Sequence, residues 1–261
     1  ERLQDQFGLD IRIRAIASSS RMLLSEEGID LSKWRELFEV ASQEYDLNKF
    51  LAHVGSEYYP HSVLVDCTTS NELASMYSRF LEKFHVITPN KKAATGSYSY
   101  YKEMFETCKR TGKRFLYETT VGAGLPVINT LNDLIQTGDE VKKIEGMLSG
   151  TLSWLFNRYD GTVPFSQLVL QAKEMGYTEP DPRDDLSGMD VARKTVILAR
   201  EIGLDVELEN LNITSLVPDK LKDASKEEFL SRLSEMDDEI YTKYKEAKDM
   251  GEVIRYVGRV D

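Results

Sequence analysis

Short runs of β-branched and other apolar residues alternate with stretches of helical apolar spacing through the first half of the chain. The apolar runs that predict strands lie at 9–18, 61–67, 85–88 and 114–118. The stretches whose apolar residues recur at helical spacing lie at 34–50, 71–83 and 98–110. Strands that alternate with helices indicate a parallel sheet with right-handed crossovers. The pattern therefore predicts an α/β fold with a doubly wound, Rossmann-like parallel sheet.

The sequence opens inside this pattern. Residues 1–6, followed by Phe7 and Gly8, are typical of the last turns of a helix that a glycine closes. A dinucleotide-binding domain should open with a strand and a Gly-x-Gly-x-x-Gly turn, and neither precedes this helix. We therefore expect residues 1–125 to form a partial dinucleotide-binding domain that lacks its first strand and its glycine-rich loop.

The second half of the chain mixes helices and strands in a different order. Helices are predicted at 126–136, 150–156, 164–175 and 189–202, and strands at 141–148, 211–217 and 253–260. Residues 219–251 are rich in charged residues but keep apolar residues at helical spacing, which predicts an exposed helical excursion. We expect residues 126–261 to form a second, α+β domain.

The composition excludes several functional classes. The net charge of -11 and the pI near 5.0 argue against a nucleic-acid partner, which needs clustered Lys and Arg, and against anionic membrane surfaces. No apolar run approaches the roughly 20 residues that span a bilayer. We expect a cytoplasmic protein, or a plastid protein in a plant. Cys67 and Cys108 are too few for a disulfide framework and are predicted to be buried thiols, and the scattered histidines His53, His61 and His85 are predicted to be structural.

The stretch from Gly176 to Lys194 is the strongest chemical signal in the sequence. Pro180 and Pro182 should keep its first part out of helix and so create a rigid acidic loop. The carboxylates of this loop are Glu179, Asp181, Asp184 and Asp185. A helix then places Asp190 and Lys194 at i and i+4 on one face. Such a site suits a small zwitterion, because acids bind its ammonium while a lysine handles a proton. The alternative is a solvated acidic face with a surface salt bridge.

This stretch resembles the signature of the homoserine dehydrogenases. It is joined, in the order of that family, by the motifs Thr88-Pro-Asn-Lys-Lys92, Glu118-Thr-Thr-Val-Gly-Ala-Gly-Leu-Pro126 and Glu145-Gly-Met-Leu-Ser-Gly-Thr151. The resemblance implies reversible, NAD(P)-dependent interconversion of L-homoserine and L-aspartate 4-semialdehyde on the way to threonine and methionine. It also implies that 126–261 is the catalytic and dimerisation domain, in a homodimer or a larger oligomer, with an aspartokinase as a possible fused domain.

The same resemblance assigns roles to individual residues. Lys194 is expected to be the acid and base, with Lys91 from the other domain stabilising charge on the same oxygen or relaying the proton. The residues expected to hold the substrate amine are Glu179, Asp185 and Asp190, and those expected to contact the cofactor are Thr68, Lys91 and Gly176.

The residues at the end of the predicted 9–18 strand bear on the cofactor preference. An acidic residue at that position in a doubly wound fold binds the ribose hydroxyls of NAD, whereas a basic or small polar one tolerates a 2′-phosphate. Here the end is Ser18-Ser-Ser-Arg21, without an acid. The sequence therefore predicts that Arg21 contacts the cofactor and that NADP is accepted at least as well as NAD. An ordinary serine-rich loop is the alternative.

The glycines at 122 and 124 do not form a phosphate loop, because position 127 is Val and the motif follows the last predicted strand of the sheet rather than the first. Such a loop can turn carbonyl oxygens inward toward a hard cation. The resemblance implies a structural Na⁺ or K⁺ held by residues matching Glu118, Val121, Ala123 and Leu125.

Two other functions stay open at this point. One is a related amino-acid semialdehyde reductase with the same two-domain plan. The other is a non-catalytic fragment that binds substrate and dimerises but turns nothing over.

Overall fold

The computed structural model describes residues 2–55 and 61–261. The helices are α1 (Arg2–Phe7), α2 (Trp34–Glu39), α3 (Leu47–Val54), α4 (Asn71–Ala74), α5 (Tyr77–Phe80), α6 (Tyr98–Thr111), α7 (Val127–Gln136), α8 (Gly150–Arg158), α9 (Phe165–Glu174), α10 (Arg183–Leu186), α11 (Met189–Glu201), α12 (Lys226–Ser231) and α13 (Asp237–Asp249). The strands are β1 (Ala15–Ala17), β2 (Met22–Leu24), β3 (Val63–Val65), β4 (His85–Ile87), β5 (Phe115–Leu116), β6 (Ile144–Gly146) and β7 (Gly258–Val260). Short 3₁₀ turns lie at Glu118–Thr120, Leu208–Asn210, Asp219–Leu221 and Leu233–Met236.

A three-stranded parallel sheet in the order β3-β4-β5 organises the first half of the chain. Val65 pairs with Ile87, which in turn pairs with Leu116, so all three strands end at one edge. Aromatic rings fill the core behind the sheet, among them Tyr77 and Phe115, whose centroids lie 5.8 Å apart. The predicted α/β class is confirmed, and the carboxyl ends of the strands form a common edge where open sheets of this kind bind ligands.

The prediction for residues 9–18 is wrong. Only Ala15–Ala17 is a strand, and it pairs antiparallel with β2 instead of joining the parallel sheet. The backbone of Ile29 donates to the carbonyl of Ile13 (2.7 Å), and Ile11 is 68% exposed. The hairpin with β2 therefore satisfies the backbone hydrogen bonds of this β-branched run, because within the described residues the run has no parallel partner strand.

Two predicted helices are each divided. The stretch 34–50 becomes α2 and α3, since the segment between them pairs with the hairpin through Arg21 and Glu44, and the Asp46 side chain then caps α3 by accepting from the Lys49 amide (3.0 Å). The stretch 71–83 becomes the two single turns α4 and α5. In both stretches the apolar spacing correctly predicted helical residues, and local hydrogen bonds determine where the helix is interrupted.

A second hydrophobic core lies among α8, α9, the start of α11 and the helices after residue 219. Its largest fully buried side chains include Leu155, Phe165, Leu186, Leu221 and Phe229. The helical excursion is confirmed, and its apolar residues are core-facing anchors as predicted. The strand predicted at 211–217 is wrong: its Leu216 amide donates to the Leu186 carbonyl (2.9 Å) next to α10. Of the strand at 253–260 only β7 forms, antiparallel to β6.

The two halves share packing along α7 and α11. Ile128 and Leu131 of α7, with Ile197 and Leu198 of α11, are buried in the same core as the parallel sheet. The Arg200 guanidinium, whose side chain is 0% exposed, donates to the Ala94 carbonyl (2.8 Å). One end of α11 is therefore fixed to the first half of the chain. The boundary at residue 125 stays a prediction.

Candidate active site

Two loops at the edge of the parallel sheet carry predicted site residues. Thr68 is exposed in the loop after β3, and Lys91 is half-buried in the loop after β4. The Lys92 ammonium donates to the Thr69 carbonyl (2.7 Å), which ties the two loops together. Lys92 therefore has a structural contact, whereas the Lys91 side chain points away toward the second half of the chain.

Helix α11 brings the other predicted lysine to the site. Gly188 begins the helix with φ of +73°, and a Cβ there would lie 1.8 Å from the Tyr256 hydroxyl, so both the turn and the packing require glycine. Asp190 lies in the first turn and Lys194 one turn later. The expected i,i+4 pair is present, with Lys194 Nζ 2.7 Å from Asp190 Oδ2.

Asp190 joins the two predicted catalytic lysines. Lys91 Nζ lies 3.2 Å from Asp190 Oδ1, while Lys194 binds the other oxygen. The Lys194 ammonium also donates to the Leu148 carbonyl (2.6 Å), and its side chain is only 16% exposed. Two ammonium groups from the two halves of the chain thus meet on one carboxylate.

The charge state of Asp190 follows from these contacts. Burial opposes its negative charge, but the hydrogen bond from Lys194 and the charges of both lysines outweigh burial and hold the pKa of Asp190 below its usual value. Asp190 is therefore a carboxylate at neutral pH. It can hold both ammonium groups in place without a bound ligand.

Asp185 organises the acidic loop. Its Oδ2 accepts from the Glu179 amide (2.7 Å), and its Oδ1 lies 2.9 Å from the Thr151 hydroxyl. Burial raises the pKa of Asp185, and the charges of Asp184 and Asp190 act in the same direction. A cation placed here would be stabilised by a carboxyl that forms no ion pair with any residue in 2–55 and 61–261. Thr151 lies within a motif quoted from the sequence, but nothing in the pattern indicated its contact with Asp185.

The acidic residues do not all converge. Asp181 pairs with Arg183 (2.6 Å), a contact that holds the pKa of Asp181 below its usual value, and Asp184 is exposed. The expectation of a purely non-helical loop is also wrong, because Pro182 begins the single helical turn α10. The carboxylates near the lysines are Asp185 and Asp190, with Glu179 exposed beside them.

Arg21 does not lie where the sequence placed it. It follows the Ser18–Ser20 turn of the β1–β2 hairpin, and its guanidinium donates to the Glu39 carbonyl (2.8 Å). The expected position of Arg21 at the edge of the parallel sheet is wrong. The end of this strand therefore gives no support for NADP, and a cofactor role for Arg21 stays a prediction. Gly176 ends α9, with its amide donating to the Lys173 carbonyl (3.1 Å).

The loop proposed to hold a monovalent cation has a defined shape. Ala123 takes a φ of +52°, and Val121 is fully buried while Leu125 is 65% exposed. Both carboxylate oxygens of Glu118 accept backbone N–H bonds at the start of α7, from Ile128 and Asn129 (2.8 Å each). Each carboxylate oxygen of Glu118 keeps a further lone pair that a cation could use, although Glu118 already has a helix-capping role, and the cation stays a prediction.

The remaining candidate groups are the two cysteines and the histidines. Cys67 is exposed, which corrects the prediction of a buried thiol, and Cys108 is half-buried. His53 Nε2 lies 3.1 Å from the Ser25 carbonyl. Across residues 2–55 and 61–261 no group of three or more His, Cys, Asp or Glu could hold a metal ion. No helix in the same residues is long and apolar enough to cross a bilayer.

Two family models match the chain. The model described as homoserine dehydrogenase matches residues 126–261, and the model described as homoserine dehydrogenase, NAD binding domain, matches residues 1–118. The bifunctional aspartokinase/homoserine dehydrogenase 1, chloroplastic, of Arabidopsis thaliana is 50% identical over 262 residues, which cover 99% of this chain and 29% of that protein. The chain therefore spans less than a third of the length of this curated relative.

Solved structures share the fold. A crystal structure of a protein of unknown function from Candida auris superposes with a TM-score of 0.86 at 38% identity, covering 94% of this chain and 70% of the other. A hyperthermophilic archaeal homoserine dehydrogenase in complex with NADPH superposes with a TM-score of 0.63 at 22% identity, covering 77% and 64%. The second likeness supports the fold alone.

Proposed function

The chain belongs to the homoserine dehydrogenase family, and from this premise we propose that it carries the active site of an NADP-dependent homoserine dehydrogenase. The reaction is the reversible interconversion of L-homoserine and L-aspartate 4-semialdehyde. The observation that carries the proposal is the pair of ammonium groups, Lys91 and Lys194, held 3.2 and 2.7 Å from the two oxygens of Asp190.

The lysines have separate roles in the proposal. Lys194, held by Asp190 and the Leu148 carbonyl, takes the proton of the substrate hydroxyl as a neutral amine during oxidation, and its ammonium form returns that proton during reduction. Lys91 stabilises negative charge on the same oxygen from the other side. Because Asp190 is engaged by both ammonium groups, it orients them.

The substrate amine is assigned to the acidic loop. Asp185 is half-buried and has no cationic partner within the part of the chain that the structure describes. The exposed residue Glu179 donates its backbone amide to Asp185. A bound ammonium would offset the burial that raises the pKa of Asp185. Because Asp185 and Glu179 bind the substrate ammonium in this proposal, the site selects an amino acid over a simple alcohol.

The cofactor supplies the hydride acceptor or donor when bound. The exposed hydroxyl of Thr68 and the ammonium of Lys91 fit a nicotinamide and ribose at the edge of the parallel sheet, since both can donate hydrogen bonds there. Gly176 and Arg21 are further proposed contacts. We propose NADP or NAD as the cofactor, which the match of residues 1–118 to a homoserine dehydrogenase NAD binding domain supports.

The direct test is Lys194→Ala in the full-length protein, assayed in both directions. Loss of the acid and base should lower kcat on the order of a thousandfold. Lys243→Ala is the matched control, because Lys243 forms an ion pair of the same i,i+4 spacing with Glu239 within α13. Near-normal turnover by a folded Lys194→Ala protein would remove this lysine from the chemistry.

The alternatives have their own readouts. A non-catalytic substrate-binding fragment should bind NADPH weakly in a fluorescence titration, and a related semialdehyde reductase should prefer a substrate other than homoserine. Either result would replace the proposed activity.

Further proposals concern assembly and ions. We propose a homodimer or larger oligomer, a structural Na⁺ or K⁺ at the Glu118 loop, and a fused aspartokinase, which the curated relatives carry by name. The compartment is proposed to be the cytoplasm, or the plastid as in the chloroplastic relative. Mass in solution and the dependence of Tm on K⁺ test the first two.

A further inference from the structure

Asp66 is a buried carboxyl that the proposed chemistry does not use. It follows β3 directly, is 4% exposed, and its amide donates to the Ile87 carbonyl (3.0 Å) in the ladder with β4. A buried carboxyl is costly unless hydrogen bonds satisfy it. Its partners lie in the two loops that carry Thr68 and Lys91.

One oxygen of Asp66 shapes the first loop. Asp66 Oδ1 accepts from the Thr68 amide (2.7 Å), and the Thr68 hydroxyl in turn accepts from the Ser70 amide (3.0 Å). These bonds close a tight turn immediately after the strand. The position of the Thr68 side chain is therefore set by the Asp66 carboxyl.

The second loop is tied to Asp66 through Thr88. The Thr88 hydroxyl donates to the Asp66 carbonyl (2.9 Å) and accepts from the Asn90 amide (2.9 Å). The Asn90 side chain then accepts from the Lys92 amide (3.1 Å). The amides on both sides of Lys91 are thus held by a chain of bonds that begins at Asp66.

Buried groups connect the two branches. The Tyr77 hydroxyl donates to Asp66 Oδ2 and lies 3.0 Å from the Thr88 hydroxyl, while the Asn90 amide group donates to the Ser70 carbonyl (3.0 Å). Tyr77 and Thr88 are 0% exposed and Asn90 is 5% exposed. Burial raises the pKa of Tyr77, so the hydroxyl keeps its proton. Since a buried polar group without a hydrogen-bond partner is destabilising, the network favours one arrangement of both loops.

We propose that Asp66 is a positioning residue that fixes the Thr68 loop and the Lys91 loop relative to each other. The inference rests on the proposed function for its catalytic meaning, because those loops present the cofactor contact and one of the two lysines. Its structural content, the coupling of the two loops, stands on the hydrogen bonds alone.

Asp66→Asn in the full-length protein tests the role. The amide places a donor where the carboxylate accepts from the Thr68 amide (2.7 Å) in one loop and from the Asn90 side chain (3.5 Å) in the other, so we expect NADPH Kd to rise and kcat to fall, each by on the order of tenfold or more. Asp237→Asn is the matched control, because Asp237 binds the amide and hydroxyl of Ser166 (2.7 Å each) far from the site. The control should lower Tm and leave Kd and kcat within about twofold.

Thr88→Val separates the branches and covers the case in which Asp66→Asn does not fold. Valine keeps the shape of the side chain but removes the bonds to Asp66 and Asn90. Hydrogen exchange should accelerate at the amides of Asn90 and Lys92 in the same loop and also at the Thr68 amide in the other loop, because the two loops are coupled through Asp66. Exchange that is unchanged at the Thr68 amide would overturn the coupling of the loops.

The outcomes distinguish this inference from the proposed function. If Asp66→Asn lowers Tm as Asp237→Asn does, while Kd and kcat stay at the wild-type values, Asp66 is only structural and the inference is wrong. If the wild-type protein oxidises no homoserine but Thr88→Val shows the expected exchange pattern, the coupling holds and the proposed function fails.

Discussion

Lys91 and Lys194 were predicted as a pair although more than a hundred positions separate them in the sequence. The i,i+4 contact of Lys194 with Asp190 follows from helical geometry alone. The contact of Lys91 with Asp190 was not predicted, since the family resemblance placed Lys91 only near the same substrate oxygen as Lys194. The contact of Thr151 with Asp185 was missed, because a threonine early in a helix is a common capping residue and gives no signal of its own.

The positive φ and close packing of Gly188 lead to a prediction at the residue scale. Gly188→Ala should lower the free energy of unfolding by roughly 1–3 kcal/mol from the positive φ alone, and by more because the new Cβ would displace the Tyr256 side chain. Urea denaturation measures the loss. Gly203→Ala is the control, since its φ is +86° but no atom lies within 4 Å of the added Cβ. Equal losses for the two variants would contradict the packing role.

Helix α11 is the element that links the two halves of the chain. Its start carries Asp190 and Lys194, and its end packs against the core of the parallel sheet through Ile197 and Leu198. The apolar spacing predicted the helix but not this division of its contacts. For residues 9–18 the secondary structure itself was mispredicted. Their composition predicted a buried strand, but part of the segment forms an antiparallel hairpin with β2 instead.

The end of α11 contains a titrating carboxyl. Burial raises the pKa of Glu201 from 4.5 to about 7, with Asn132 of α7 donating to it (2.7 Å) and the Tyr101 hydroxyl of α6 at 3.5 Å. Between these pH values the folded protein binds more protons than the unfolded chain, so this group lowers stability as the pH rises.

Glu201→Gln should remove that dependence. The amide can still accept from Asn132 and carries no charge, so the Tm of the variant relative to wild type should increase from pH 4.5 to about 7 and then level off. Thermal unfolding across this range measures the difference. A difference in Tm that is constant with pH would show that Glu201 does not titrate there.

At the scale of the whole molecule, the sequence predicted the sheet and most helices but not how the halves meet. Periodicity reports which face of an element is buried, and it contains no information about the partner. Arg200, fully buried against the Ala94 carbonyl, illustrates the limit, because an arginine at the end of a helix is usually exposed. The predicted strand at 211–217 failed for the same reason.

The central claim is that Lys91 and Lys194 act on one substrate oxygen. A double-mutant cycle on kcat with Lys91→Ala, Lys194→Ala and the double variant tests it most directly, in the full-length protein with NADP⁺ and homoserine. Residues that act as a unit give strongly non-additive losses, so the double variant should lose about as much activity as the worse single variant. Losses in log kcat that add, or a Lys194→Ala protein with wild-type turnover, would contradict the claim.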